Sequence, residues 1–80
     1  MEIILPTKTL LKQTQSSAKK RFGRLPLAIW HAWLGGNSYR AYVINTKNGV
    51  VLCRGPLSSS AKEAVKNMRE DLEEALKKTS

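Results

Sequence analysis

The sequence predicts an α+β domain: a basic N-terminal arm or weak helix, a three-stranded antiparallel β-meander, and a C-terminal amphipathic helix packed on one sheet face. Two patterns carry this prediction. Residues 39–45 and 50–54 are rich in β-branched and aromatic residues and flank Asn48-Gly49, a dipeptide typical of a tight hairpin turn. Residues 61–80 repeat apolar side chains at helical spacing. At 80 residues the chain is long enough for one domain.

The N-terminal segment, residues 1–24, is predicted as a basic arm or a weak helix. The only apolar residues between positions 7 and 20 are Leu10, Leu11 and Ala18. So few apolar groups offer little surface for packing, and the sequence leaves open whether residues 7–20 are ordered. We therefore divide the chain into this arm and a small α+β domain at residues 25–80, which together form one globular unit.

Residues 25–34 fit either a short helix or a strand. Pro26 near the start and Gly35-Gly36 at the end would suit a helix. An isolated two-stranded hairpin is marginally stable, however, and a third strand here would complete a meander, so we prefer the strand. We expect Trp30 to lie in the core because a tryptophan buries a large apolar area, whereas Trp33 suits a core or an exposed position equally.

The hairpin prediction also implies which side chains lie opposite each other. A two-residue type I′ turn at Asn48-Gly49 places Val43 opposite Arg54 and leaves both faces of the hairpin partly apolar. Either each face is covered, or the face that carries Arg54, Tyr39 and Leu52 is a contact surface.

The C-terminal helix has a clear predicted start and a clear apolar face. Ser60 and Glu63 match a capping box, in which each side chain accepts a hydrogen bond from the other residue's free backbone N–H. The stripe that should face the core comprises Val65, Met68, Leu72, Ala75 and Leu76.

The net charge of +8 is distributed unevenly. Residues 1–60 hold nine basic side chains and one acid, Glu2, whereas residues 61–80 hold five of each sign and are neutral. The whole excess therefore lies before residue 61. Such a pattern indicates long-range attraction to phosphates or to acidic surfaces.

The densest basic run lies at residues 19–24 and is the first candidate binding site. It contains Lys19, Lys20, Arg21, Phe22 and Arg24. Cations release counterions from a phosphate backbone, and a ring such as Phe22 can stack on an exposed base. The structural alternative is a solvated linker whose phenylalanine enters the core.

A second group of candidate phosphate contacts comprises Arg40, Lys47 and Arg54. These residues come from separate segments, so an extended patch requires the fold to bring them together.

The sequence contains no residue pattern that indicates a catalytic site. His31 has no paired carboxylate or cysteine nearby, and Cys53 most simply packs as a small hydrophobe. No nucleotide-binding loop or nucleophile elbow occurs. We therefore predict a protein that is not an enzyme, with no catalytic residue, no metal and no cofactor.

The cellular compartment is predicted from three features: disulfide bonding, a signal peptide and a membrane-spanning helix, none of which the sequence indicates. The single cysteine cannot form an internal disulfide, and Met1–Leu5 does not resemble a signal peptide. Residues 25–34, the longest apolar stretch, span about half of the ~20 residues that a membrane helix needs. We predict a cytoplasmic protein without integral membrane association.

The chain resembles two protein families in a region that includes the final helix, and each resemblance covers only part of the chain. Residues 39–76, with Ser60 to Ala64 opening the helix, resemble the second half of a double-stranded-RNA-binding domain, which implies phosphate contacts at that helix start. The family's adjacent lysines are replaced here by Ser-Ala-Lys, and its Gly-Pro-x-His loop is missing. The helix pattern at residues 63–70 also resembles small Hic-type antitoxins, but their proline- and glycine-rich strand is absent. Neither resemblance assigns the chain to a family.

The leading functional hypothesis is a small module that binds RNA or DNA through phosphate contacts, reading shape and charge. The alternative is a protein-interaction subunit or regulator in which the basic arm and an apolar sheet face dock on an acidic partner protein. In that case Leu52, Val43 and Tyr39 should form an exposed apolar patch.

Overall fold

The computed structural model describes residues 5–79. The elements in chain order are α1 (Lys8–Phe22), β1 (Leu27–Trp33), β2 (Tyr39–Asn45), β3 (Val51–Arg54) and α2 (Ala61–Thr79). The strands form one antiparallel sheet in the order β1-β2-β3, and α2 packs on it. The predicted α+β architecture is confirmed. Glu2 and most of the segment considered as a signal peptide lie outside the described residues.

Of the two structures predicted for the N-terminal segment, the helix is the one that forms. Thr7 caps α1 by accepting a hydrogen bond from the Leu10 N–H at 3.1 Å. Gly23 ends the helix with a φ of 77°, which glycine adopts without a steric penalty. The buried face of α1 consists of Leu10, Thr14, Ser17 and Ala18. Most of these side chains are small, so α1 packs closely against α2 despite having few apolar groups.

The first strand runs from Leu27 to Trp33, so the strand interpretation of this segment is correct. The expectation that Trp30 belongs to the core is wrong, because 59% of its surface is exposed. Alternation along the strand explains the difference: Leu27 and Ile29 point toward the helices, and Trp30 therefore points away from them.

The predicted hairpin register is also wrong. Val43 lies opposite Cys53, and Arg54 lies opposite Tyr42. Both Val43 and Cys53 pack with the core, whereas Arg54 lies on the other face of the sheet. A register irregularity beside Val43 adds one extra residue to β3.

The cause lies in the turn. The connection is a five-residue loop, residues 46–50, with hydrogen bonds from Asn45 N–H to Val50 O at 2.9 Å and from Gly49 N–H to Asn45 O at 2.8 Å. Gly49 has a φ of 73°, but Asn48 does not have a positive φ. A type I′ turn needs positive φ at both positions and so does not form.

Both helices cover the same face of the sheet. The buried cluster combines Leu10 and Ala18 of α1 with Leu27, Ala41 and Val43 of the sheet and Ala64, Val65, Met68 and Leu72 of α2. Gly55 follows β3 and lies against α2 so closely that an added Cβ would be 2.7 Å from the Cβ of Met68. The predicted helix start is confirmed by the hydrogen bond from the Glu63 N–H to Ser60 Oγ at 3.1 Å.

Candidate nucleic-acid interface

The second face of the sheet carries no helix among the described residues. Its central row runs across all three strands, because Trp30 of β1 lies opposite Tyr42 of β2, which lies opposite Arg54 of β3. We call these three residues the aromatic row. A parallel row toward the β2–β3 loop contains Ala28, Ile44 and Val51. On the other side of the aromatic row, Arg40 lies opposite Ala32.

The aromatic row is accessible to a ligand. Trp30 is 59% exposed, Arg54 is exposed, and Tyr42 between them is half-buried. Cβ atoms of directly opposed residues lie about 4.5–5.5 Å apart, so Trp30 and Tyr42 are neighbours on this face. Val51 extends this surface with a side chain that is 45% exposed. The open face therefore combines apolar rings with two guanidinium groups.

Within the described residues, neither arginine of the open face forms a salt bridge with an acidic side chain. The salt bridges of residues 5–79 join Arg69 to Glu73 and Lys78 to Glu74, all on α2. The Nε of Arg40 is buried and has no hydrogen-bond acceptor in the described structure. The sequence contains no acid between Glu2 and Glu63, so the three strands and their loops carry only positive charge.

A second basic region lies where α1 ends. Lys19 and Arg24 line an open cleft of about 500 Å³, together with Thr46 of the β2–β3 loop. The Thr46 N–H donates to Pro26 O at 2.9 Å and holds the loop at this end of the molecule. Lys47 follows directly in the chain and is exposed. Lys19 and Arg24 line the cleft, and Lys47 is the residue after its lining residue Thr46; we call these three cations the basic cleft.

Part of this charge has a structural explanation. Lys19, Lys20 and Arg21 occupy the last turn of α1, where cations interact favourably with the helix dipole. Phe22 is half-buried and packs against the core, and the Arg21 guanidinium lies over its ring at 5.4 Å from the centroid. The Phe22 ring therefore makes contacts within the protein, and we do not assign it a role in stacking on a base.

Five of the eight predicted residues form two groups in the structure: the basic cleft, with Lys19, Arg24 and Lys47, and the open sheet face, with Arg40 and Arg54. Lys20, Arg21 and Phe22 instead line a separate pocket with Leu76 of α2. Sequence reasoning missed Trp30 and Tyr42 as candidate contacts. Strand alternation in β1 contained the signal, since a helix-facing Leu27 and Ile29 force Trp30 to the opposite face.

The start of α2, where one resemblance implies phosphate contacts, is occupied by intramolecular hydrogen bonds. Ser60 Oγ accepts from the Glu63 N–H, and the Asn67 amide donates to Ser58 Oγ at 2.9 Å. Lys62 and Lys66 are exposed nearby.

Cys53 is half-buried, and its environment disfavours nucleophilic chemistry. Burial raises the pKa of the thiol; the nearby charge of Arg21 acts in the opposite direction, and that of Asp71 raises the pKa further. The thiol is therefore protonated at neutral pH. Across residues 5–79, no three or more His, Cys, Asp or Glu side chains are grouped to hold a metal ion. None of the helices in this range is sufficiently long and apolar to cross a membrane.

Searches against protein-family models, curated proteins and solved structures find no match to this chain. The partial resemblances at the final helix therefore gain no support from these comparisons.

Proposed function

We propose that the protein is a non-enzymatic module that binds nucleic acid through contacts between its cations and phosphate groups. The supporting observation is the separation of charge. Within the described residues every acid lies on α2, and no cation before residue 61 forms a salt bridge. Unpaired cations on adjoining surfaces attract a polyanion and release its counterions on binding.

The proposed phosphate contacts lie on two surfaces. The basic cleft offers Lys19, Arg24 and Lys47, and the last turn of α1 adds Lys20 and Arg21, which line a separate pocket with Leu76. The open sheet face offers Arg40 and Arg54. Phosphate contacts carry no sequence information, so recognition depends on charge and shape.

Salt dependence tests the proposal. Anisotropy titrations with fluorescent 20-nucleotide RNA and DNA, single- and double-stranded, should give affinities that fall steeply as salt rises from 50 to 200 mM. The triple substitution Lys19→Gln, Arg24→Gln and Lys47→Gln should weaken binding and make the slope of log K against log salt shallower by about 2, since each lost contact removes about 0.7–0.9.

The matched control changes the same charge on α2, with Lys66→Gln, Lys77→Gln and Lys78→Gln. These lysines lie outside both proposed surfaces, so the salt slope should change by less than half as much as in the cleft variant. Absence of binding at 50 mM salt, or binding that is indifferent to salt, would show that the proposal is wrong.

An acidic protein partner would be attracted by the same charges, but no specific contact surface favours it. The apolar patch expected for that function does not form, because Val43 is fully buried, and Leu52 and Tyr39 pack against the core. Polyglutamate serves as the competitor in the titrations: if it displaces oligonucleotides at equal charge concentration, charge alone accounts for binding and the nucleic-acid assignment fails.

A further inference from the structure

We infer that the open sheet face is a stacking surface for the bases of single-stranded nucleic acid, with Trp30 and Tyr42 as the stacking rings and Arg40 and Arg54 as flanking phosphate contacts. The inference rests on the proposed function and specifies the class of nucleic acid that this face takes.

The geometry of the aromatic row is the first argument. Trp30 and Tyr42 are directly opposed on neighbouring strands, so both side chains stand on the same face of the sheet. Trp30 leaves more than half of its side chain in water, although both helices pack on the opposite face of the same sheet. A base has an apolar face that fits such a surface, and base–aromatic stacking tolerates any base.

The charges around the row are the second argument. Arg54 ends the row on β3, and Arg40 lies two residues from Tyr42 on the same face. Neither has an acidic partner within residues 5–79. A strand of nucleic acid that places a base on Trp30 or Tyr42 brings its own phosphates within reach of these guanidinium groups, which bind phosphate in bidentate geometry.

Charge also argues against a second copy of the chain as the occupant. Pairing two open faces would bring together the arginines of two molecules that each carry +8. A duplex is a poor occupant for a different reason, since its bases are stacked on each other and do not present their faces. A single strand satisfies both the rings and the cations.

Fluorescence of single-tryptophan variants provides the test, because the chain contains a matched control. Trp33 lies on the same strand and is 64% exposed, but its position in the alternation places it on the opposite face, and its Nε1–H donates to Gly36 O at 2.8 Å. In Trp33→Phe the remaining emission comes from Trp30, and in Trp30→Phe it comes from Trp33.

Titration with single-stranded oligo(dT) and oligo(U) at low salt should quench the Trp33→Phe protein and leave the Trp30→Phe protein nearly unchanged. A duplex of the same length should quench neither. In anisotropy titrations Trp30→Ala should weaken single-strand binding about tenfold, about 1.4 kcal/mol, and should leave duplex binding within about twofold. Trp33→Ala should bind both as the wild type does.

The outcomes separate this inference from the function on which it rests. If Trp30 is not quenched while salt-dependent binding persists, or if duplex and single strand quench it equally, the stacking assignment is wrong and the proposed function stands. If no oligonucleotide binds at low salt, both are wrong. If polyglutamate quenches Trp30 and oligonucleotides do not, the face serves an acidic protein and the inference fails. The circular dichroism spectrum and melting temperature of Trp30→Ala show whether a loss of binding reflects unfolding.

Discussion

The two faces of the sheet share the same strands but differ in every property that matters for a partner. On the covered face Leu27, Ala41 and Val43 are buried beneath both helices. On the open face Trp30 and Arg54 remain exposed. Beneath the helices the covered face bears aliphatic side chains that allow close packing, and Trp33 lies on this face but is exposed. Trp30, Tyr42 and the two arginines lie on the open face, beside the aliphatic Ala28, Ile44 and Val51. The contrast shows how a chain with apolar groups on both faces builds its core on one face and leaves the other exposed.

The largest expected effect comes from truncating a side chain beneath the covered face. Met68 is fully buried in α2, so Met68→Ala should lower the free energy of unfolding by about 2–5 kcal/mol. Trp30→Ala on the open face removes a larger side chain, but it should cost less than about 1 kcal/mol because that side chain is largely in water. Urea denaturation followed by circular dichroism measures both. A Trp30→Ala protein as unstable as Met68→Ala would show that the open face is covered in solution.

A smaller effect is expected from a nearly isosteric change made on each face. Val43→Thr puts a hydroxyl into the core and should cost about 1–3 kcal/mol. Val51→Thr makes the same change at a position that is 45% exposed and should stay within about 0.5 kcal/mol. Equal losses in urea denaturation would contradict the assignment of these valines to different environments.

The smallest effect concerns the titration of Cys53 on the covered side. Because burial raises the pKa of this thiol, less of it is ionised at a given pH than in an unstructured peptide. The rate of iodoacetamide alkylation should therefore rise at higher pH than for the same protein unfolded in urea. Arg21→Gln should shift the profile further up and Asp71→Asn should shift it down, since these two charges act in opposite directions. A folded protein that titrates at or below the pH of the unfolded one would refute the assignment.

The C-terminal helix and the position of the hairpin could be predicted because each has a local cause, whereas β1 was preferred over a helix because an isolated hairpin is marginally stable. The Ser60 cap, the apolar stripe of α2 and the Asn48-Gly49 dipeptide act within a few residues. The hairpin register was predicted incorrectly because it depends on the φ angle of Asn48 and on an irregularity beside Val43, where packing against α2 outweighs the local turn preference. The sequence left open whether α1 forms, because this helix is stabilised by the packing of its small buried residues against α2.

The sequence by itself determined the separation of charge, since the absence of acids between Glu2 and Glu63 holds in any fold. It also identified all seven cations now proposed as phosphate contacts. Only the tertiary structure decided which of these cations lie on the same surface and which aromatic rings lie beside them. Trp30 became a surface residue, and Phe22 packed against the core, because the helices cover one face of the sheet and the side chains of a strand alternate between its faces. That choice is made by long-range packing, which a pattern of neighbouring residues does not encode.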